Sequence, residues 1–165
     1  METIDSIYFY GHNNEFGYLS NFYKCNFVEN NIKYNCSEQY FMYYKCLLFD
    51  EKNKLLIDKI LKETDQKKIK KYGRMVCNFN EVVWKANRYN IMKQGVLLKF
   101  DQNDNIKKKL LNTKDKVLFE ASKYDKIWGI GYNTKIAYKI DKEKYGLNLL
   151  GKVLMEVREE LKNTL

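Results

Sequence analysis

Near the C-terminus, Leu150, Val153, Leu154, Val157 and Leu161 recur every three or four residues, with Lys152, Glu156 and Glu159 off that stripe. Apolar side chains at this period line one face of an α-helix, and that face must be covered by a core. Weaker versions of the same pattern fill most of the chain. Ser37 is placed to N-cap a helix reaching about residue 49, with Tyr40, Phe41, Tyr44 and Leu48 turned inward. Asp50 is placed to cap the next, where Leu55, Ile57, Ile60 and Leu61 repeat at roughly helical intervals. Residues 65–72 read as a short polar helix stopped by Gly73, residues 80–100 as a long helix and 105–111 as a further one. Strand signals sit early: residues 6–10, then 23–28 and 32–34, which can pair as a hairpin across Glu29, Asn30 and Asn31. Residues 117–121 fit either a strand or a helix, and 128–145 read as a long loop with at most one strand. The expected fold is mainly α (α+β): one compact helical domain, 1–165, with a small antiparallel β element near the N-terminus.

Composition narrows the class. A chain of 165 residues, 45% hydrophobic and 15% aromatic, is the size of one domain and can bury a core without staples. No run reaches the ~18 apolar residues of a membrane span. The opening METIDSIYFY has no basic segment or small-residue cleavage site of a signal peptide. A cytoplasmic, reducing location with no membrane partner is expected. Four cysteines without a CxxC pair, and the single His12, give no zinc-ligand spacing, so no metal and no cofactor is expected. A Ser-His-Asp or Cys-His site would need His12, which lies in a Gly/Asn-rich loop. The net charge of +9 is nearly all lysine; the arginines are Arg74, Arg88 and Arg158. It reads either as a solvated lysine surface, in a chain rich in residues of AT-rich codons, or as a polyanion-binding patch. Scarce arginine and the lack of a helix-turn-helix or zinc-finger pattern argue against a plain DNA-binding protein.

Chemistry has few places to sit. Glu38 and Lys45 are seven residues apart in one expected helix, within ~20° of the same face and ~10 Å apart along its axis. Their side chains can converge on a sugar-sized object, although Glu/Lys pairs on helices are common. Trp128 stands in YDKIWGIG, three residues after Asp125 and beside Gly129 and Gly131. That arrangement serves either a ligand loop, with Asp125 on a ribose hydroxyl, or a core plug with Asp125 capping a turn. Arg74, after a helix end, can hold a phosphate or pair with a surface carboxylate. Ser20, Asn21 and Phe22 in YLSNFY can bind a ligand or form a turn.

Taken in order, GYLSNFY, SEQYFMYYKCLLF, KYGR, VVW, the LLKF segment with its QN, LLNT, LFEAS, YDKIWGIG and YGLNLLGKVLMEVREEL resemble the YbiA-like (NADAR) family over residues 7–161. The WGIG segment and the GxNxLGxxLMxxR pattern are specific as a pair. The resemblance implies a single mainly helical domain and N-glycosidase activity, metal-independent, on a ribosylated nucleobase-like substrate such as the ribosylaminopyrimidine phosphates of riboflavin biosynthesis. By motif position Glu38 matches an active-site carboxylate, and Lys45 a lysine proposed in some members to attack the ribose carbon as a Schiff-base nucleophile. Trp84, Asp125 and Trp128 match residues around the substrate, Asp125 as a third catalytic group. Ser20, Asn21, Phe22, Arg74, Gly129 and Asn148 are expected to bind substrate with them. The alternatives are an ADP-ribosyl hydrolase acting on modified guanine, for which nucleic acid becomes a partner, and a non-catalytic ADP-ribose or nucleotide-binding module.

Overall fold

The computed structural model describes residues 1–164. In it the chain forms two compact units, Lys24–Asn103 and a second made of Met1–Tyr23 with the chain from Asp104 on. The fold is α+β, with helices dominating and four short strands among the described residues.

The first unit holds a hairpin and four helices. Strands β1 (Ser6–Phe9) and β4 (Val117–Glu120) belong to the second unit, whereas β2 (Phe27–Glu29) and β3 (Ile32–Tyr34) pair antiparallel here. Their turn is Asn30-Asn31, both at positive φ (50° and 63°), the two-residue geometry that matches strand twist and that asparagine tolerates. The edge of β2 is closed by a side chain: Gln102 accepts from the Val28 N–H and donates to its carbonyl, both at 2.8 Å. A carboxamide thus stands where a further strand would pair.

Helix α1 (Ser37–Asp50) is the hub of this unit. Tyr40 packs on Phe27 and Tyr34, and both Tyr40 and Tyr44 donate to one oxygen of Glu29, at 3.0 and 2.6 Å. Gln39 donates to the Ile60 and Leu61 carbonyls at 2.9 and 3.1 Å, satisfying the end of α2 (Lys54–Lys62). Helix α3 (Gln66–Gly73) ends against α1 so closely that a Cβ at Gly73 would strike the Met42 side chain. Helix α4 (Glu81–Asp101) lies on the Tyr40 ring at Gly95, again where a side chain would not fit.

Several local expectations need correction. Cys36, in extended conformation and without a side-chain bond, precedes α1, so Ser37 is its first residue and not its cap. Asn53, not Asp50, caps α2 by accepting from the Leu56 N–H at 3.1 Å. Leu48 and Leu55 (69% exposed) face solvent, and Leu56 takes the buried place beside Ile57 and Ile60. Asp65 and Asn80, where helices were expected to begin, cap α3 and α4.

In the second unit β1 and β4 pair in parallel, Ser6 opposite Val117 and Phe9 opposite Glu120. Residues 117–121 therefore resolve as a strand. Helices α5 (Asp104–Leu111) and α6 (Leu149–Asn163) complete it. The segment 128–145 has no strand; its ordered parts are 3₁₀ turns at Ala137–Lys139 and Lys142–Lys144. Tyr145 anchors it, edge-on to Phe119 and donating to the Ala137 carbonyl at 2.7 Å. No helix among the described residues is long and apolar enough to cross a membrane.

Helix α6 starts at Asn148, whose φ of 52° is left-handed. The Asn148 side chain accepts from the Glu120 N–H at 3.0 Å and donates to the Leu118 carbonyl at 2.9 Å. Leu149 and Leu150, in the first turn, donate to the Ile127 and Trp128 carbonyls at 3.1 Å each. Residues 127–128 therefore satisfy N–H groups that a helix start leaves open. Replacing Asn148 by Ala strands two buried backbone groups of β4, each costing ~1–3 kcal/mol. Thermal and urea melts of Asn148→Ala should show that loss, with KM unchanged in the fraction that remains folded.

Candidate active site

Glu38 sits in the first turn of α1, only 6% exposed, where helix N–H groups favour a carboxylate. Lys45 follows two turns later and is partly buried. Its Nζ donates to the Gly73 carbonyl at 2.8 Å and lies 4.9 Å from the Phe79 ring centre and 5.6 Å from that of Trp84. The tight seat of Gly73 on Met42 brings that carbonyl within reach. A carbonyl at a helix C-terminus and two aromatic faces favour the ammonium form. Burial opposes them as the largest influence and holds the Lys45 pKa below the ordinary lysine value; Glu38 raises it, Arg74 lowers it and Glu81 raises it again. The result is an amine that loses its proton more readily than a surface lysine.

Trp84 opens α4 in its first turn, placed there by the Asn80 cap. It is 8% exposed, with its ring 4.9 Å from that of Phe41 and 6.2 Å from Phe49. It is therefore core and site wall at once, since the same residue stands beside Lys45. Phe79 is the aromatic that reading the sequence missed. Its ring is 44% exposed and meets Phe49 edge-on at 5.3 Å. The signal was present: Phe79 just before the Asn80 cap and Trp84 four positions into the helix is the spacing of a hydrophobic staple. Arg74 is exposed, at the C-cap of α3, and acts on Lys45 through its charge.

The remaining expected residues gather in the second unit. Ser20 is buried and its Oγ accepts from the Phe22 N–H at 3.2 Å, a local turn; Asn21 and Phe22 are partly buried beside it. Asp125 accepts from the N–H groups of Ile127 and Trp128, both at 2.8 Å, through the same oxygen, Oδ1. That bond aims the Trp128 backbone and occupies one side of the carboxylate. Gly129 is buried against its own chain, where a Cβ would come within 2.8 Å of the Glu120 carbonyl. Its small size thus serves packing on β4. Both polar ends of Asn148 are engaged by β4, as described. Among the described residues no three His, Cys, Asp or Glu side chains converge as a metal-ligand set.

Lys45 therefore has Glu38, Trp84 and Arg74 around it, and Asp125, Trp128, Gly129 and Asn148 gather around the start of α6. The model of the NADAR domain matches residues 8–162. N-glycosidase R617 of Acanthamoeba polyphaga mimivirus is 42% identical, over 97% of this chain and 98% of its own length. Riboflavin biosynthesis protein VVA0006 of Vibrio vulnificus is 33% identical over 94% of this chain, which spans 38% of that larger protein. The NMR structure of the E. coli protein YbiA superposes with a TM-score of 0.79 at 25% identity, over 99% of this chain and 89% of that one. The chain belongs to the NADAR domain family.

Proposed function

We propose that the chain is an N-glycosidase that hydrolyses the bond between ribose C1′ and a nitrogen of a ribosylated nucleobase-like substrate. One observation carries the reading: an amine desolvated between aromatic rings stands on the same helical face as a buried carboxylate. The relatives named N-glycosidase and the one named for riboflavin biosynthesis support it, and the latter favours a ribosylaminopyrimidine phosphate.

In the mechanism, the glycosyl nitrogen pushes the ribose ring open, leaving an imine at C1′. Neutral Lys45 adds to that carbon, and the substrate amine departs with the two protons that the Lys45 nitrogen gives up, so one imine replaces another. Water then adds to C1′, releases the sugar as its aldehyde and returns Lys45 to the amine. Glu38 orients a ribose hydroxyl and carries protons between these steps. By motif position alone, Asp125, Trp128, Ser20, Asn21, Phe22 and Arg74 are assigned to holding the substrate, Asp125 also to balancing positive charge on the sugar. Every step uses groups of the chain and water, so the reaction is proposed to need no metal. In the competing scheme Glu38 activates water against an oxocarbenium-like C1′ and Lys45 acts only by its charge.

Purified protein offered labelled ribosylaminouracil phosphate and ADP-ribosylguanosine should release base from the first. Release from the second alone would move the assignment to the ADP-ribosyl hydrolase reading, and release from neither would leave a binding module. Dialysis against chelator should leave turnover unchanged; rescue of a chelator-inactivated enzyme by one divalent ion would overturn the metal-free scheme.

Lys45→Ala and Lys45→Arg should be equally inactive, since the guanidinium keeps the charge but forms no imine. Borohydride added during turnover should leave sugar mass on the peptide containing Tyr44 and Cys46. Substantial activity in Lys45→Arg without an adduct would favour the water mechanism.

The pH profile gives a separate check. The neutral amine is the nucleophile, so kcat/KM should rise with pH through an apparent pKa below the ordinary lysine value. Glu38 raises the Lys45 pKa, so Glu38→Gln should shift what activity remains to lower pH.

A further inference from the structure

The face of α4 that presents Trp84 carries another charged group, one that the chemistry above leaves unused. At ~100° per residue, Arg88 and Gly95 fall within ~40° of the Trp84 direction. Trp84 meets Phe41 and Phe49 of α1, and Gly95 meets the Tyr40 ring, so the stripe between them faces α1. Arg88 lies on that stripe, ~6 Å along the axis from Trp84. It is 8% exposed, and among the described residues its guanidinium makes no hydrogen bond or ion pair.

Arg158 shows what a structural arginine looks like in this chain. Its Nη1 donates to the Thr113 hydroxyl at 2.8 Å and the Lys116 carbonyl at 2.9 Å, while its Nε is buried without a hydrogen bond. Arg88 has no such partners. A guanidinium keeps its charge at any working pH and presents five donors in a planar fork. Its stem is buried, while its nitrogens stay open to solvent, since none of them is both buried and unpartnered. A fork with a packed stem, open nitrogens and no protein partner, one turn from the wall of a reactive site, is suited to an anion that arrives with the substrate.

We propose that Arg88 is the anion-binding residue of this site, gripping phosphoryl oxygens carried on the 5′ side of the ribose. The inference rests on the glycosidase reading for the sugar, while the anion follows from Arg88 itself. A phosphomonoester and a diphosphate share the chemistry. Trp84 then borders the sugar and Lys45, and Arg88 fixes how far along α4 the sugar can slide.

The test is binding, followed by calorimetry and thermal shift, with ribose, ribose 5-phosphate and ADP-ribose as probes. Arg88→Met should weaken one or both phosphorylated probes by about 10–100-fold, as loss of a bidentate charge-assisted pair implies. Its response to plain ribose should match the wild type, and so should Lys67→Met, a surface control, with every probe. The probe that loses more names the source, monoester or diphosphate. Arg88→Met should also melt no lower than wild type without ligand, because no hydrogen bond or ion pair of the fold is lost. Should Arg88→Met misfold, Arg88→Lys keeps the charge without the fork and should still weaken the phosphorylated probes. Unchanged affinity for both of these in a folded Arg88 variant, or an equal loss for plain ribose, would overturn the proposal. Lys45→Ala separates the two readings: it should bind the phosphorylated probes normally and release no base. Turnover by Lys45→Ala would sink the covalent scheme and leave the anion site standing.

Discussion

The end of α3 reaches Lys45 at a residue that has no side chain. A Cβ there would meet the Met42 sulfur on α1, so either Met42 or the Gly73 carbonyl, now 2.8 Å from the amine, would have to shift. The rest of the site is arranged around this contact. Asp65 starts α3 and Asn80 starts α4, so the link between the two helices runs through Arg74 and Phe79, both beside the same amine. The carbonyl and the rings steady a cation while burial destabilises it. An amine under those opposing pulls stays in place yet sheds its proton more easily than one in water, which a nucleophilic lysine requires.

Carboxamides do the work that longer strands would do elsewhere. Gln102 closes the edge of β2, Asn148 closes that of β4, and Gln39 satisfies the last carbonyls of α2. Each replaces backbone pairing by one side chain that both donates and accepts. Strands of three or four residues can then end inside a helical protein without orphaned polar groups. Asn148 also explains why the WGIG and GLNLLG segments occur together. The first supplies carbonyls that the opening turn of α6 needs, and the second supplies the left-handed residue that turns the chain to receive them.

Features set by neighbours in the chain were legible in the sequence. The α6 stripe, the Asn30-Asn31 turn and the starts of α3 and α4 each depend on a few adjacent residues. The shared face of Glu38 and Lys45 followed from helical geometry alone. Features set by distant partners were not legible. Strand β4 looked ambiguous because its partner, β1, lies more than a hundred residues away and pairs in parallel. Leu48 and Leu55 fit a helical period, yet period cannot say whether anything covers a face. Helix α1 meets α2, α3, α4 and the hairpin, so its buried positions form no single stripe, and Met42, Tyr43 and Cys46 were overlooked.

Charge was the least legible property of all. In a chain of net charge +9, Arg88 reads as one more solvated cation, as Arg74 does. The structure separates them: Arg74 is exposed at a helix end, Arg158 is buried and bonded through Nη1, and Arg88 has a buried stem and a guanidinium without a protein partner. A cation on a packed stem is informative because packing fixes where its charge can be offered. The lysine surplus carries little such information, since exposed ammonium groups cost almost nothing to keep. Lys45 and Arg88 thus say more about what this chain can bind than its overall basicity does.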